Sequence, residues 1–295
     1  MVLINLLAFL LLLRLGTLVQ AACNGHDELC NRQYSNVSFV GAHDSPFVGP
    51  LPQQNQGWSV TEQLDNGIRF LQGQTHHEPF TGSLNFCHTS CFLEDAGPVA
   101  DYLATVKNWL DANPDEVVTL LIVNGDSVPV ADFASEFDHS GIVSYTYVPP
   151  ISPLFIDAWP TLQEMITAGT RLVVFLDSGA DASQVPYILD EFAYFFETPY
   201  DQTDPTFSQC KIDRPSNATA AGRMYLVNHT LNINLLDTGI LIPDRDDACT
   251  TNSLASIEAQ ANLCSGIYGR NPNVILLDFV DQGEAIPAEN MLNSL

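Results

Sequence analysis

Basic side chains are scarce in this chain. Lysine occurs twice, at Lys107 and Lys211, and ten Lys and Arg together face 35 Asp and Glu, a formal net charge of −25. Such a surface repels the phosphate backbone and anionic lipid, so neither nucleic acid nor electrostatic docking on an acidic membrane is expected. No Cys-x-x-Cys pair occurs, which removes the usual thiolate zinc frameworks. No Gly-x-Gly-x-x-Gly turn occurs, which leaves a dinucleotide site without support. No repeat, low-complexity tract or long Ser/Gly linker divides the chain. No apolar tail follows "AENMLNSL", so no lipid-anchor signal is expected there.

The one long apolar run is "MVLINLLAFLLLLRLGTLVQAAC", broken by Arg14 and ending in small residues. It is short and early for a membrane span and carries a small-residue cleavage site, so residues 1–21 read as a secretory signal peptide. Residues 22–295 then form the mature chain, of a length suited to one large domain, expected to be a monomer. Three sequons, at Asn36, Asn217 and Asn228, agree with a secreted glycoprotein. Seven cysteines in an oxidising compartment should mostly pair. Cys23 with Cys30 and Cys87 with Cys91 can staple short loops, and Cys249 with Cys264 a longer one, leaving Cys210 odd.

Strand-like and helix-like segments alternate along the chain. Val37 to Val40, Ile68 to Gln72 and Leu84 to Cys87 read as strands. "VADYLATVKNWLDAN" has apolar residues at helical spacing and stops at Asn113-Pro114. "EVVTLLIVNG", "RLVVFLDSG", "MYLVNHTLN" and "NVILLDFVD" read as further strands. Leu162 to Thr167, "YILDEFAYFF", "NSLASIEAQANLCSGIYG" and "IPAENMLNSL" read as helices. This alternation predicts an α/β fold with a parallel sheet covered by helices, and the length favours a single (β/α) TIM-type barrel.

In such a fold, chemistry collects at the C-terminal ends of the strands. Here those ends carry His43-Asp44, Gln72 to Gln74, His88, Asn124, Asp177, Asn228 and Asp278. Every strand ends in something polar, so no single member signifies much. His43, His88 and Asp278 together, from three separate strands, are harder to dismiss. Two histidines supported by carboxylates suit cleavage of a phosphodiester without an obligatory metal. One imidazole takes a proton from a hydroxyl nucleophile, the other gives one to the leaving oxygen, and each carboxylate orients a ring.

"GAHDS", "QLDNGIRF", "FCHTSC", "VADYLATVKNWLDANPDEVVTLLI" and "VILLDF" together resemble the X domain of phosphatidylinositol-specific phospholipases C, in particular the secreted, fungal-type phospholipase C-like phosphodiesterases. The resemblance spans most of residues 36 to 281 and implies a distorted, incomplete β/α barrel. It implies His43 as general base and His88 as general acid, with Asp278 supporting the first and Asp44 the second. It implies a small phosphodiester or phospholipid headgroup as partner, and no cofactor.

The chain departs from that pattern in two places. Where relatives carry a phosphate-stabilising arginine or calcium ligands, Gln72 and Gln74 stand here. Gln74 can donate a hydrogen bond but brings no charge. Arg69 should point away, and His76 and His77 follow in a loop. Asp177 falls where bacterial relatives place a basic substrate-binding residue, so a cationic headgroup, or a divalent metal shared with Asp44, would suit that carboxylate better than an anionic one. Two other readings stand beside the enzyme: a non-catalytic relative binding a glycan or lipid headgroup, and a glycoside hydrolase using Asp177 and Asp278.

Overall fold

The computed structural model describes residues 22–295, so the expected signal peptide lies outside the described residues. The elements are β1 (Phe39–Ala42), α1 (Val60–Asp65), β2 (Phe70–His77), β3 (Leu84–Cys87), β4 (Asp95–Pro98), α2 (Val99–Ala112), β5 (Val118–Asn124), α3 (Val130–Ser140), α4 (Leu162–Ala168), β6 (Leu172–Leu176), β7 (Ile188–Asp190), α5 (Glu191–Tyr194), β8 (Phe195–Glu197), β9 (Met224–Asn228), β10 (Asn232–Asn234), β11 (Leu241–Pro243), α6 (Ala248–Thr251), α7 (Leu254–Tyr268), β12 (Val274–Leu277) and α8 (Ala285–Asn293). Eight strands pair in parallel in the order β7-β6-β5-β2-β1-β12-β9-β8, and this sheet curls strongly into an incomplete barrel. The barrel stays open between β7 and β8, which do not pair and are joined only by the single turn α5. The end of β2 continues into a short antiparallel arm with β3 and β4.

Burial on both faces explains the near-continuous apolar runs of these strands. The side chains divide with period two. Val40, Ala42, Val118, Leu120, Ile122, Val174, Ile275 and Leu277 join the layer under the helices. Phe39, Leu121, Val173, Phe175, Val274 and Leu276 join a second cluster inside the barrel. Residues from Cys23 to Val37 plug its N-terminal end, where the Tyr34 ring packs against Trp159, tilted by 30° with centroids 4.7 Å apart, and its hydroxyl lies 2.7 Å from that of Thr119. Helices α1 and α4 begin at capping boxes, Ser59 with Glu62 and Thr161 with Glu164, which satisfy orphan amides at both starts. Gly41 allows close packing at the barrel wall: a Cβ there would sit 2.9 Å from the Phe70 ring.

Five expectations change. His76 and His77 end strand β2, paired with Asn85 and Leu84, rather than standing in a loop. "YILDEFAYFF" is not one helix but strand, single turn and strand. Asp190 caps the turn by accepting from the amides of Phe192 and Ala193. Phe195 and Phe196 then face opposite core layers, the alternation of a strand. Helix α3 falls in a stretch to which no element was assigned. Cys264 pairs with Cys210, not with Cys249. Cys264 lies on the buried face of α7 with Ile257 and Ala261, opposite the buried Cys210, whereas Cys249 sits exposed and unpaired on α6. Cys23–Cys30 and Cys87–Cys91 form as expected. The sequon at Asn228 is buried, its amide donating to Thr198 O (2.8 Å) and Glu197 Oε2 (3.3 Å), and His229 and Thr230 are buried beside it. A glycan has no access there, while Asn36 and Asn217 are exposed. Among the described residues no helix is long and apolar enough to cross a membrane.

Candidate active site

At the C-terminal end of the parallel strands lies a cavity of about 290 Å³, lined by His43, Asp44, Gln72, Gln74, His88 and Asp177 among others. The parallel register makes this convergence unavoidable: Ala42 pairs with Leu71 on one side and Leu277 on the other, so the residues after β1 and β12 emerge side by side. His43 Nδ1 lies 2.8 Å from Asp278 Oδ1, and the same oxygen accepts from Asn55 Nδ2 at 2.8 Å. A carboxylate can only accept, so Nδ1 carries the proton and Nε2 turns to the cavity.

Asp44 sits between the two rings. Its Oδ2 is 3.6 Å from His43 Nε2 and 3.4 Å from His88 Nε2. Its Oδ1 is buried without a partner, as is Asp278 Oδ2. Asp44 is held in place by its own amide, which donates to Gln72 Oε1 at 2.7 Å. His88 Nδ1 donates to the carbonyl of Gln53 (3.1 Å), and its ring stacks on Phe47 with centroids 5.2 Å apart. Both His88 and His43 therefore direct Nε2 at one carboxylate and one cavity. Asp44, Thr89 and Phe279 all adopt positive φ (46°, 62° and 49°). Left-handed non-glycine residues at and just after the groups that meet here are a form of backbone strain that accumulates at functional sites.

The electrostatics of the site are lopsided. Burial disfavours charge on His43, but Asp278 and Asp44 outweigh it and raise its pKa to about 9. Burial raises Asp177, whose Oδ1 accepts from the Asn124 amide (2.8 Å) and Ser178 Oγ (3.2 Å). Gln74 Oε1 accepts from the Thr89 amide at 2.5 Å, which leaves its Nε2 as a fixed donor. The Cys87–Cys91 disulfide brackets His88 and rests against the carbonyls of His76 and His77. With this clamp removed, Cys91→Ala is expected to lose more activity than stability. Full turnover by a folded variant, judged by thermal melting, would show the clamp to be a surface staple only.

The structure thus brings His43, His88, Asp44 and Asp278 together, and places Gln74 and Asp177 on the same cavity. Others go elsewhere. Arg69 pairs with Glu116 at 2.7 Å and lies over Trp109, away from the site. His76 pairs with Asp126 at 2.8 Å and, like His77, is not among the cavity's lining residues. Asp278 is committed to His43 and Asn55, so it is not a free glycosidase acid. Among the described residues Asp44 and Asp177 do not come together in a group of three or more close metal-ligating side chains. Among the described residues the one such group is Cys87, Cys91 and Asp95, and its sulfurs are consumed by the disulfide.

Sequence reasoning missed Asn55, Glu191, Glu197 and Arg214, all of which line the cavity. Glu197 obeys the same rule as Asp278, a carboxylate closing an apolar run, but was hidden by reading its strand as helix. Arg214 comes from a long irregular segment between β8 and β9 and carries no pattern. It pairs with Glu197 and lies over the Tyr200 ring at 4.5 Å.

The PI-PLC X family model (PI-PLC X 1) matches residues 29–293. A PI-PLC X domain-containing protein 1 of Arthroderma benhamiae is 55% identical over 98% of this chain and 95% of its own length. An uncharacterized secreted protein of the same organism is 43% identical over 88% of this chain, which spans 60% of that longer protein. Among solved structures, a phosphatidylinositol-specific phospholipase C from Listeria monocytogenes superposes with a TM-score of 0.60 at 15% identity, covering 90% of this chain and 95% of the other. A Staphylococcus aureus phosphatidylinositol-specific phospholipase C, the F249X mutant, superposes with 0.62 at 14% identity, covering 90% and 94%. At these identities the superpositions establish the fold, a TIM-like barrel.

Proposed function

The chain belongs to the PI-PLC X family, and from that premise we propose that it is a phosphodiesterase of the phospholipase C type, working by two-histidine acid–base catalysis. The observation that carries this reading is the placement of Asp44 Oδ2 between His43 Nε2 and His88 Nε2, 3.6 and 3.4 Å away, in the lining of one cavity. With Nδ1 locked on Asp278, His43 Nε2 is the base that removes a proton from a hydroxyl of the substrate. His88, whose Nδ1 is fixed on Gln53, protonates the oxygen that leaves. Asp44 stabilises whichever ring is charged as the proton moves across the site. Attack by a hydroxyl of the substrate itself needs no captured water, so positioning and charge stabilisation supply the rest. Gln74 Nε2 is the donor aimed at the phosphoryl oxygens.

Exposed apolar side chains on the loop that follows His88 support a lipid ester as one substrate. Phe92 and Leu93 sit on the His88 loop, and Phe92 packs edge-on to Phe80 at 5.9 Å. Export of the protein is supported by three disulfides, by the expected signal peptide, and by similarity to a relative named as secreted.

The test is cleavage by the purified mature protein. Substrates are phosphatidylinositol vesicles and water-soluble inositol and ethanolamine glycerophosphodiesters, each with and without EDTA. Cleavage unchanged by EDTA is the expected result. Activity lost to EDTA and restored by a divalent ion would overturn the metal-free mechanism. Binding without cleavage of any ester would replace the enzyme with a headgroup-binding protein.

A further inference from the structure

Four consecutive amide residues, "QQNQ" at 53–56, reach both histidines from one loop. One end of this segment is fixed beside the base. Asn55 Nδ2 donates to Asp278 Oδ1 at 2.8 Å, the Asn55 carbonyl accepts from the Phe279 amide at 2.7 Å, and Gln56 Nε2 donates to the His43 carbonyl at 2.7 Å. The other end meets the acid, where the Gln53 carbonyl faces His88 Nδ1 at 3.1 Å. A carboxylate holds that end down. Glu94 accepts from Gln53 Nε2 at one oxygen (2.9 Å) and from Gln54 Nε2 at the other (2.7 Å). The Glu94 carbonyl also accepts from the His88 amide at 3.1 Å. Glu94 thus ties the amide loop to the backbone of His88, and it is not among the described residues that line the cavity.

A peptide carbonyl can only accept a hydrogen bond. With Gln53 in place, His88 keeps its Nδ1 proton whether the ring is charged or neutral, and the proton it gives up is the one on Nε2. Asp44 Oδ2, 3.4 Å from Nε2, pulls the other way. In a ring released from Gln53, the last proton would settle on Nε2 beside that carboxylate, and delivery into the cavity would be disfavoured. Resting on the phosphodiesterase reading, we propose that Glu94 is a positioning residue for the acid. By gripping Gln53 and Gln54 it keeps the Gln53 carbonyl on His88 Nδ1, and so selects which proton His88 delivers. The amides that do the reaching bring no charge to a site where charge sets proton affinity.

The experiment reads Glu94→Ala and Glu94→Gln in two ways. The first is a nitrogen–proton correlation spectrum of the neutral histidine rings. In the wild-type protein His88 should carry its proton on Nδ1, and in Glu94→Ala on Nε2. Glu94→Gln keeps one acceptor oxygen and should lie between them, and it carries the test alone where the alanine variant does not fold. The His43 signals should stay in place, because Asn55 and Gln56 keep their own partners. The second readout is turnover. On an alkyl phosphodiester Glu94→Ala should lower kcat/KM by on the order of tenfold or more, a part of the 10²–10⁴ that a positioned acid supplies. On an ester that releases p-nitrophenolate, which needs no acid, it should lose little. Added to His88→Ala it should cost nothing further, since it acts through that ring. A His88 tautomer that does not move, equal losses on both esters, or a full further loss in the double variant would each overturn the role. The spectra need no turnover, so they are separate from the fate of the catalytic reading. A protein that cleaves no ester, yet whose His88 tautomer follows Glu94, keeps the clamp and loses the enzyme.

Discussion

On a phosphodiester with an alkyl leaving group, His88→Ala should lower kcat/KM by about 10²–10⁴-fold, the usual contribution of a positioned proton donor. On an ester of the same alcohol whose leaving group is p-nitrophenolate, it should lose little. A nitrophenolate departs as the anion and needs no proton, so the missing acid is not felt. His43→Ala should lose about the same large factor on both esters, because the attacking hydroxyl must be deprotonated in either case. The double variant should fall little below the single ones on the alkyl ester, since residues that act as a unit are not additive. The contrast separates chemistry from folding: a damaged site loses both substrates equally. Equal losses of both esters in His88→Ala would remove the assignment of His88 as the acid. The geometry behind this expectation is specific. His88 Nε2 approaches Asp44, while Nδ1 is tied to the Gln53 carbonyl and the ring is stacked on Phe47. The ring has no other route for its proton than the cavity.

The fold was legible where apolar periodicity was strong. α2, β5, β6, β9, α7 and β12 lie where the sequence places them, because each is an apolar run or a clear helical stripe closed by a polar residue, Pro or Gly. It failed at "YILDEFAYFF", where aromatic residues serve helix and strand equally well and tertiary packing decides. The core of the site was legible for a related reason. His43, Asp177 and Asp278 each follow an apolar run directly, and in a parallel barrel the ends of such runs must meet. Asn55 and Arg214 were not legible. Both reach the cavity from irregular segments, where position depends on long-range contacts: Asn55 on Asp278, 223 residues away, and Arg214 on Glu197. Cys210 failed for the same reason, its partner being 54 residues away across a segment without periodicity. The sequon at Asn228 misled because three residues cannot report that their strand is buried.

The second large effect concerns His43 and pH. Its pKa of about 9 reflects Asp278 and Asp44 prevailing over burial, so at pH 7 only ~1 ring in 100 is neutral and able to accept a proton. The p-nitrophenyl ester isolates this step, since no acid is then required. With it, kcat/KM should rise about tenfold per pH unit and level off near pH 9. Asp278→Asn removes the larger of the two charges while leaving an oxygen that can still accept from Nδ1. The ring should then lose its proton at lower pH, by on the order of one to two units, the usual effect of one adjacent opposite charge. The sign of the change follows directly. At pH 7 more of the variant is in the neutral form, which offsets part of its loss. At pH 10 both forms are neutral, and the variant is slower because the imidazolium formed in the transition state has lost its counter-charge. The two profiles should therefore converge toward neutral pH and diverge in alkali. An NMR titration of the His43 ring in both proteins checks the shift without turnover. A limb at the same pH in both proteins would mean that Asp278 orients the ring without setting its charge. The same linkage bears on the pH at which the proposed reaction would run. Despite its acidic surface and sequence pI of about 4.2, a base held at about 9 loses roughly a further factor of ten in its neutral form for each unit of acidification. The negative surface is therefore no sign of an acidic working pH, and acid alone should silence the site reversibly while the fold is intact.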